Sequence, residues 1–167
     1  NSIIAEPMIE HIALTTPTLP TALQKYIEYN FPHLMSLFQH SKFHDSGKLI
    51  AHAISSNKAI AVTDASVSQY SQTAAVSWTI TDRKLNACGD GLAVCPLLYH
   101  HCDSYGSELF GIYCILAMTF MVTSFYNIQH GSLIIACDND ASLDAGTLPQ
   151  NNQKADQNYF DLIWEIS

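Results

Sequence analysis

The sequence predicts an α/β fold: a mixed sheet in which an antiparallel three-strand meander is joined by a helical crossover to a parallel fourth strand, with helices packed on it. Three observations predict it. Ala59 to Asp64 is an apolar, β-branched run of strand length that ends in a carboxylate. Ala74 to Thr81 alternates apolar and polar residues with the period of a strand covered on one face. Leu109 to Ile128 carries no charged residue over twenty positions and is followed, after a glycine turn, by the apolar run Ser132 to Cys137, as expected of a helix that delivers the chain to a parallel strand.

Ahead of these elements, Pro7, Pro17 and Pro20 in a Thr-rich stretch preclude a continuous helix over residues 1–20 and predict a connecting segment. Ala22, Leu23, Tyr26 and Ile27 then recur at helical spacing, with Thr21 as N-cap and Phe31-Pro32 as the stop. A second short helix is expected over Gly47 to Ser55, before a Ser-Asn-Lys turn. Residues 1–58 are thus expected to be a linker and short helices that precede a domain spanning residues 59–167.

Within that domain, the Ser- and Gln-rich stretch after Asp64 predicts a turn into the second strand, and Asp82-Arg83-Lys84 a turn into a third, over Leu85 to Val94, interrupted at Gly89-Asp90-Gly91. Pro96 to Asp103 is expected to be a loop. Ser104 marks a helix start, with Glu108 in the early turns facing the positive end of the helix dipole. After the fourth strand come Asp138-Asn139-Asp140, a polar loop, and a helix from Tyr159 to Ile166.

The uncharged stretch is long enough to cross a bilayer. Thr119, Thr123, Ser124 and Asn127 within it, and the absence of Lys or Arg at its flanks, favour a helix buried against the sheet, so no membrane partner is expected. Composition points the same way: 167 residues with 48% hydrophobic and 13% charged side chains suffice for one sizeable core. The net charge of -8 is uneven. Residues 1–58 hold four bases (Lys25, Lys42, Lys48, Lys58) and four acids (Glu6, Glu10, Glu28, Asp45), whereas residues 59–167 hold three bases (Arg83, Lys84, Lys154) and eleven acids. Such a surface repels phosphate backbones unless cations or a basic partner intervene. Five cysteines, Cys88, Cys95, Cys102, Cys114 and Cys137, are an odd set with no apolar signal segment ahead of them, which predicts reduced thiols and an intracellular location. Cys88, Cys95, Cys102, His100 and His101 lack the Cys-x-x-Cys spacing of zinc sites.

In this order of elements three carboxylates, Asp64, Glu108 and Asp138, fall where they can meet. With the first strand central and the fourth beside it in parallel, Asp64 and Asp138 are neighbours at the C-terminal edge of the sheet, where ligands of α/β folds bind. A helix crossing that face can present Glu108 to both. Three hard oxygen ligands at one open site suit Mg²⁺ or Mn²⁺. Each acid also has a plainer reading, as a turn, cap or dipole residue.

The segments Ala-Val-Thr-Asp-Ala-Ser, Ser-Tyr-Gly-Ser-Glu-Leu-Phe-Gly-Ile and Ile-Ile-Ala-Cys-Asp-Asn-Asp, in this order, resemble the ribonuclease H family, particularly the domains of reverse-transcribing elements. The resemblance covers about residues 59–166. It implies a ribonuclease-H-like fold, Asp64, Glu108 and Asp138 as catalytic metal ligands, and two-metal hydrolysis of the RNA strand of RNA/DNA hybrids. It also implies an upstream polymerase domain in the same polypeptide. Ser66 and Asn139 are candidate donors to 2′-hydroxyls. Two departures stand out: Ala65 follows the first Asp where the family often has Gly, and the chain stops at Ser167, before a fifth strand and a helix with a fourth acid. Asp156 and Asp161 fall too early for that role. The expectation is a domain truncated at its C-terminus that cleaves hybrids poorly. The alternative is a non-catalytic structural or partner-binding module of the same fold from a decayed element.

Overall fold

The computed structural model describes residues 22–68, 70–71, 73–95 and 104–137. The chain forms α1 (Ala22–Asn30), a 3-10 helix (Pro32–Leu37), the two-residue β1 (Lys42–Phe43), a 3-10 turn (His44–Gly47), α2 (Lys48–Ser55), β2 (Ala59–Ser68), β3 (Thr73–Thr81), β4 (Ala87–Val94), α3 (Ser104–Phe125) and β5 (Leu133–Ala136). The expectations for residues 1–21, 96–103 and 138–167 lie outside the described residues.

The architecture is α/β with a mixed five-stranded sheet in the order β1-β4-β3-β2-β5. β2, β3 and β4 form the antiparallel meander, and β5 adds to β2 in parallel from Ala59↔Leu133 to Val62↔Ala136. Between β4 and β5 in the chain comes α3, which packs over β2 and β3. The alternation of the strands divides the sheet cleanly. One face carries Ala61, Thr63, Val76, Trp78, Ile80 and Ala93, all buried. The other carries Val62, Asp64, Ser66, Ser77, Leu92 and Val94, all exposed.

Two helix ends aim the parallel pair. α2 closes on Asn57 (φ 57°), with Lys58 N–H donating to Ala53 O (2.8 Å) and Asn57 N–H to Ile54 O (3.0 Å). α3 repeats the arrangement on Asn127 (φ 50°), with Ile128 N–H on Thr123 O (2.9 Å) and Asn127 N–H on Ser124 O (3.3 Å). Both are Schellman caps with Asn in the left-handed position. Ser132 N–H then donates to Ile54 O at 3.1 Å, which ties the approach to β5 to the end of α2.

α3 explains its own composition. Its sheet side lies on β2 and β3, while α1 and α2 pack on it elsewhere. Tyr26 of α1 meets Phe125 with ring centroids 5.1 Å apart, and Phe31 meets Phe120 at 5.6 Å. A helix covered on most sides is apolar most of the way round. It is long and apolar enough to cross a membrane, yet 61% of its most apolar window is buried inside the protein. Here it is the central core helix.

Three expectations are corrected. The first strand does not end at Asp64: β2 runs on to Ser68, because Ala65 to Ser68 continue the ladder with β3 down to Ser68↔Thr73. β4 is not interrupted at Gly89-Asp90-Gly91, and the irregularity falls between Ile80 and Thr81. Those glycines instead permit close approach, since a Cβ on Gly89 would meet Ile50 and one on Gly91 would meet Trp78 and Ser41. β5 is the sheet edge among the described residues, with Ile134 half exposed. Finally, residues 22–58 do not merely precede the domain. Leu23, Ile27, Ile50 and Ile54 share one core with Val76, Trp78, Ile80 and Met118, because the apolar stripes of α1 and α2 find their cover on this sheet and on α3.

Candidate functional site

Among the described residues the buried polar side chains are Thr63, Ser107 and Glu108. They lie where the start of α3 meets β2. Gly111 sets the distance between the two elements: a Cβ there would run into Thr63 Oγ1, so the missing side chain lets the helix settle onto the strand. Thr63 Oγ1 donates across to Ser77 O at 3.1 Å, satisfying its own burial. Glu108 stands three residues before Gly111, on the same side of the helix, and only 3% of it is exposed.

Its carboxylate sits past the last pair of the parallel ladder. Pairing of β2 with β5 ends at Val62↔Ala136, and beyond it the Ala65 N–H donates to Glu108 Oε1 at 3.0 Å. Cys137, directly after β5, donates its thiol to Glu108 Oε2 at 3.3 Å. One acid therefore joins β2, just past its parallel-paired part, to the end of β5.

Asp64 is the residue before Ala65, and its side chain belongs to the exposed face, opposite Ser77 in the ladder. Glu108 thus holds the amide of the residue that follows Asp64, while the Asp64 side chain itself lies on the open face of the sheet. Ser66 lies two residues on, exposed on the face that carries Asp64. Asp138 and Asn139 follow Cys137 in the sequence and lie outside the described residues. Among the described residues no three His, Cys, Asp or Glu side chains form a group able to hold a metal ion; Asp64 is exposed, and Glu108 is buried against the Ala65 amide. Of the proposed zinc residues, Cys88 and Cys95 are buried thiols without a disulfide, and Cys102, His100 and His101 fall outside the described residues.

Cys137 and the Ala65 amide are contributors that the sequence pattern did not single out. Cys137 stands immediately before an acid at a strand end, which was the available signal; a backbone N–H carries no signature in the residue type. Compared with protein-family models, curated proteins and solved structures, the chain matches none.

Proposed function

We propose that this chain carries a ribonuclease-H-like domain that hydrolyses the RNA strand of RNA/DNA hybrids with Mg²⁺ or Mn²⁺, as part of a retroelement reverse transcriptase polyprotein. The observation that carries the reading is the buried Glu108, held by β2 at Ala65, next to Asp64, and by Cys137 at the end of β5. Burying a carboxylate in an otherwise apolar core is costly, and a functional site is a sufficient reason for keeping one there. The order of elements supports the same reading: a meander, a crossover helix bearing the acid, and a parallel strand beside the first.

The donor set fits a hard divalent cation, because Asp64 and Glu108 offer carboxylate oxygens and Asp138 would add a third. Bound there, such ions would activate a water and stabilise the leaving oxygen of a phosphodiester. Asp64, on the open face, is placed to meet a ligand arriving from solvent. Glu108 is held by the Ala65 amide and the Cys137 thiol, so its position costs little to maintain during a reaction. Ser66, on the Asp64 face, is placed to contact a strand lying across it, and Asn139 is the second candidate.

A second reading, a non-catalytic module of the same fold, is favoured by the eleven acids against three bases in residues 59–167, which disfavour contact with nucleic acid. Mn²⁺ titration followed by electron paramagnetic resonance, and hybrid cleavage with a basic polymerase domain supplied, separate the two. The proposed activity requires Mn²⁺ binding and cleavage that Asp64→Asn and Glu108→Gln each abolish. A folded chain that neither binds Mn²⁺ nor cleaves establishes the module instead.

A further inference from the structure

The Glu108 carboxylate needs a fixed rotamer to be useful, and the structure shows what fixes it. Oε1 accepts the Ala65 N–H, a backbone donor of β2 that only a proline would remove. Oε2 accepts the Cys137 S–H, a side-chain donor just past β5. Without the thiol the carboxylate is held less firmly at Oε2; with both donors, from adjacent strands, its plane is better set. Cys137 is partly accessible, whereas Cys88, Cys95 and Cys114 are buried as ordinary core residues, so its thiol is not explained by packing alone.

We propose that Cys137 is a positioning residue for Glu108: its thiol, together with the Ala65 amide, clamps the carboxylate between β2 and the end of β5. The clamp itself stands on the hydrogen bonds. Its effect on a bound cation rests on the metal-site reading above, so the two are tested by different readouts.

The first readout requires no metal. In the full chain, hydrogen exchange of the Ala65 amide is followed by NMR in wild type, Cys137→Ala, Cys137→Ser and Cys137→Val. Loss of the thiol donor frees the carboxylate and speeds exchange at Ala65 by about fivefold in the Ala and Val variants. Ser, which keeps a donor on a shorter bond, falls between them and wild type. A side chain needed only for its bulk gives the opposite order, with Val like wild type and Ser like Ala, and that order overturns the proposal. So does unchanged exchange in all three variants.

The second readout is Mn²⁺ affinity, taken where Glu108→Gln has already shown that binding depends on Glu108. Removing an outer partner of a ligand costs roughly tenfold or more in affinity, so Cys137→Ala and Cys137→Val bind at least about tenfold more weakly and Cys137→Ser recovers part of the loss. Equal affinities in all four proteins, with Ala65 exchange altered as expected, leave the clamp standing and refute its role in the metal site. Absence of any Glu108-dependent Mn²⁺ binding refutes the metal-site reading, and the exchange data then decide the clamp alone.

Discussion

A buried polar side chain is costly unless it is hydrogen-bonded, and in this protein Thr63 and Glu108 each tell what their surroundings are for. Thr63 is spent on the sheet itself, bonding Ser77 O across the ladder. Glu108 is different, because its partners come from β2 and the end of β5. Cys114 marks the opposite extreme, a thiol wholly enclosed by apolar neighbours. Burial, with a smaller contribution from Cys95, pushes it up from 9.0 to about 12. The sign of the consequence follows from proton counts: between these two values the unfolded chain has released the thiol proton and the folded chain has not. Stability is therefore fully present below about pH 9 and falls as pH rises toward 12. Urea unfolding at pH 8, 9, 10 and 11 should show wild type losing more than Cys114→Ala at each alkaline step, approaching about 1 kcal/mol per pH unit at the highest. Parallel curves for the two proteins would mean that the thiol ionises inside the fold.

Elements are placed here by how they end. α2 leads into β2 and α3 leads into β5, the only parallel pair among the described residues, and each helix stops on an Asn at positive φ. The Schellman bonds at both ends fix the direction in which the chain leaves, and with it the register that puts Glu108 beyond Val62↔Ala136. The Ser-Asn-Lys turn at the end of α2 was legible because Asn after a helical pattern is a stop signal. The second stop, at Asn127, was hidden inside an uncharged stretch whose pattern runs on to Ile128. Asn127→Gly should be neutral or slightly stabilising, since glycine adopts this conformation without a Cβ penalty. Asn127→Ala should cost about 1 kcal/mol, because an L residue with a Cβ strains in the left-handed region. Thermal unfolding of the two variants, and of the matching pair at Asn57, measures the difference directly. Equal melting temperatures for Gly and Ala would show that the positive φ is not a constraint.

At the level of the whole molecule, the meander, the crossover helix and the parallel strand were legible because each has a strong period or an uninterrupted apolar run. What was not legible depended on partners distant in sequence. β1 is two residues long and exists only because Lys42 and Phe43 find Asp90 and Gly89. The far half of β2 reads as a polar turn, Ala-Ser-Val-Ser, and is a strand only because β3 pairs with it through Ser68↔Thr73. The boundary expected at residue 58 failed for the same reason. The stripe of Leu23 and Ile27 was visible in the sequence, and an apolar stripe implies a surface to cover, but that surface, on α3, lies about a hundred residues later. Leu23 and Ile50 are fully buried, Ile27 nearly so, and Gly47 sits against Leu23 and Val122, so the first helices and the crossover helix form one packing unit. A chain beginning at Ala59 should therefore fail to fold cooperatively: it would expose the back of α3 and the Ile50 site over Gly89 while retaining every strand from β2 to β5. Within the full chain, Leu23→Ala should cost about 2–5 kcal/mol, the range for emptying an enclosed aliphatic site. Chemical denaturation followed by tryptophan fluorescence suits both tests, because Trp78 lies in the same core and contacts Phe38 edge-on, with ring centroids 6.4 Å apart. A sharp, two-state transition in the chain beginning at Ala59, at the stability of the full chain, would restore the boundary and reduce α1 and α2 to appendages.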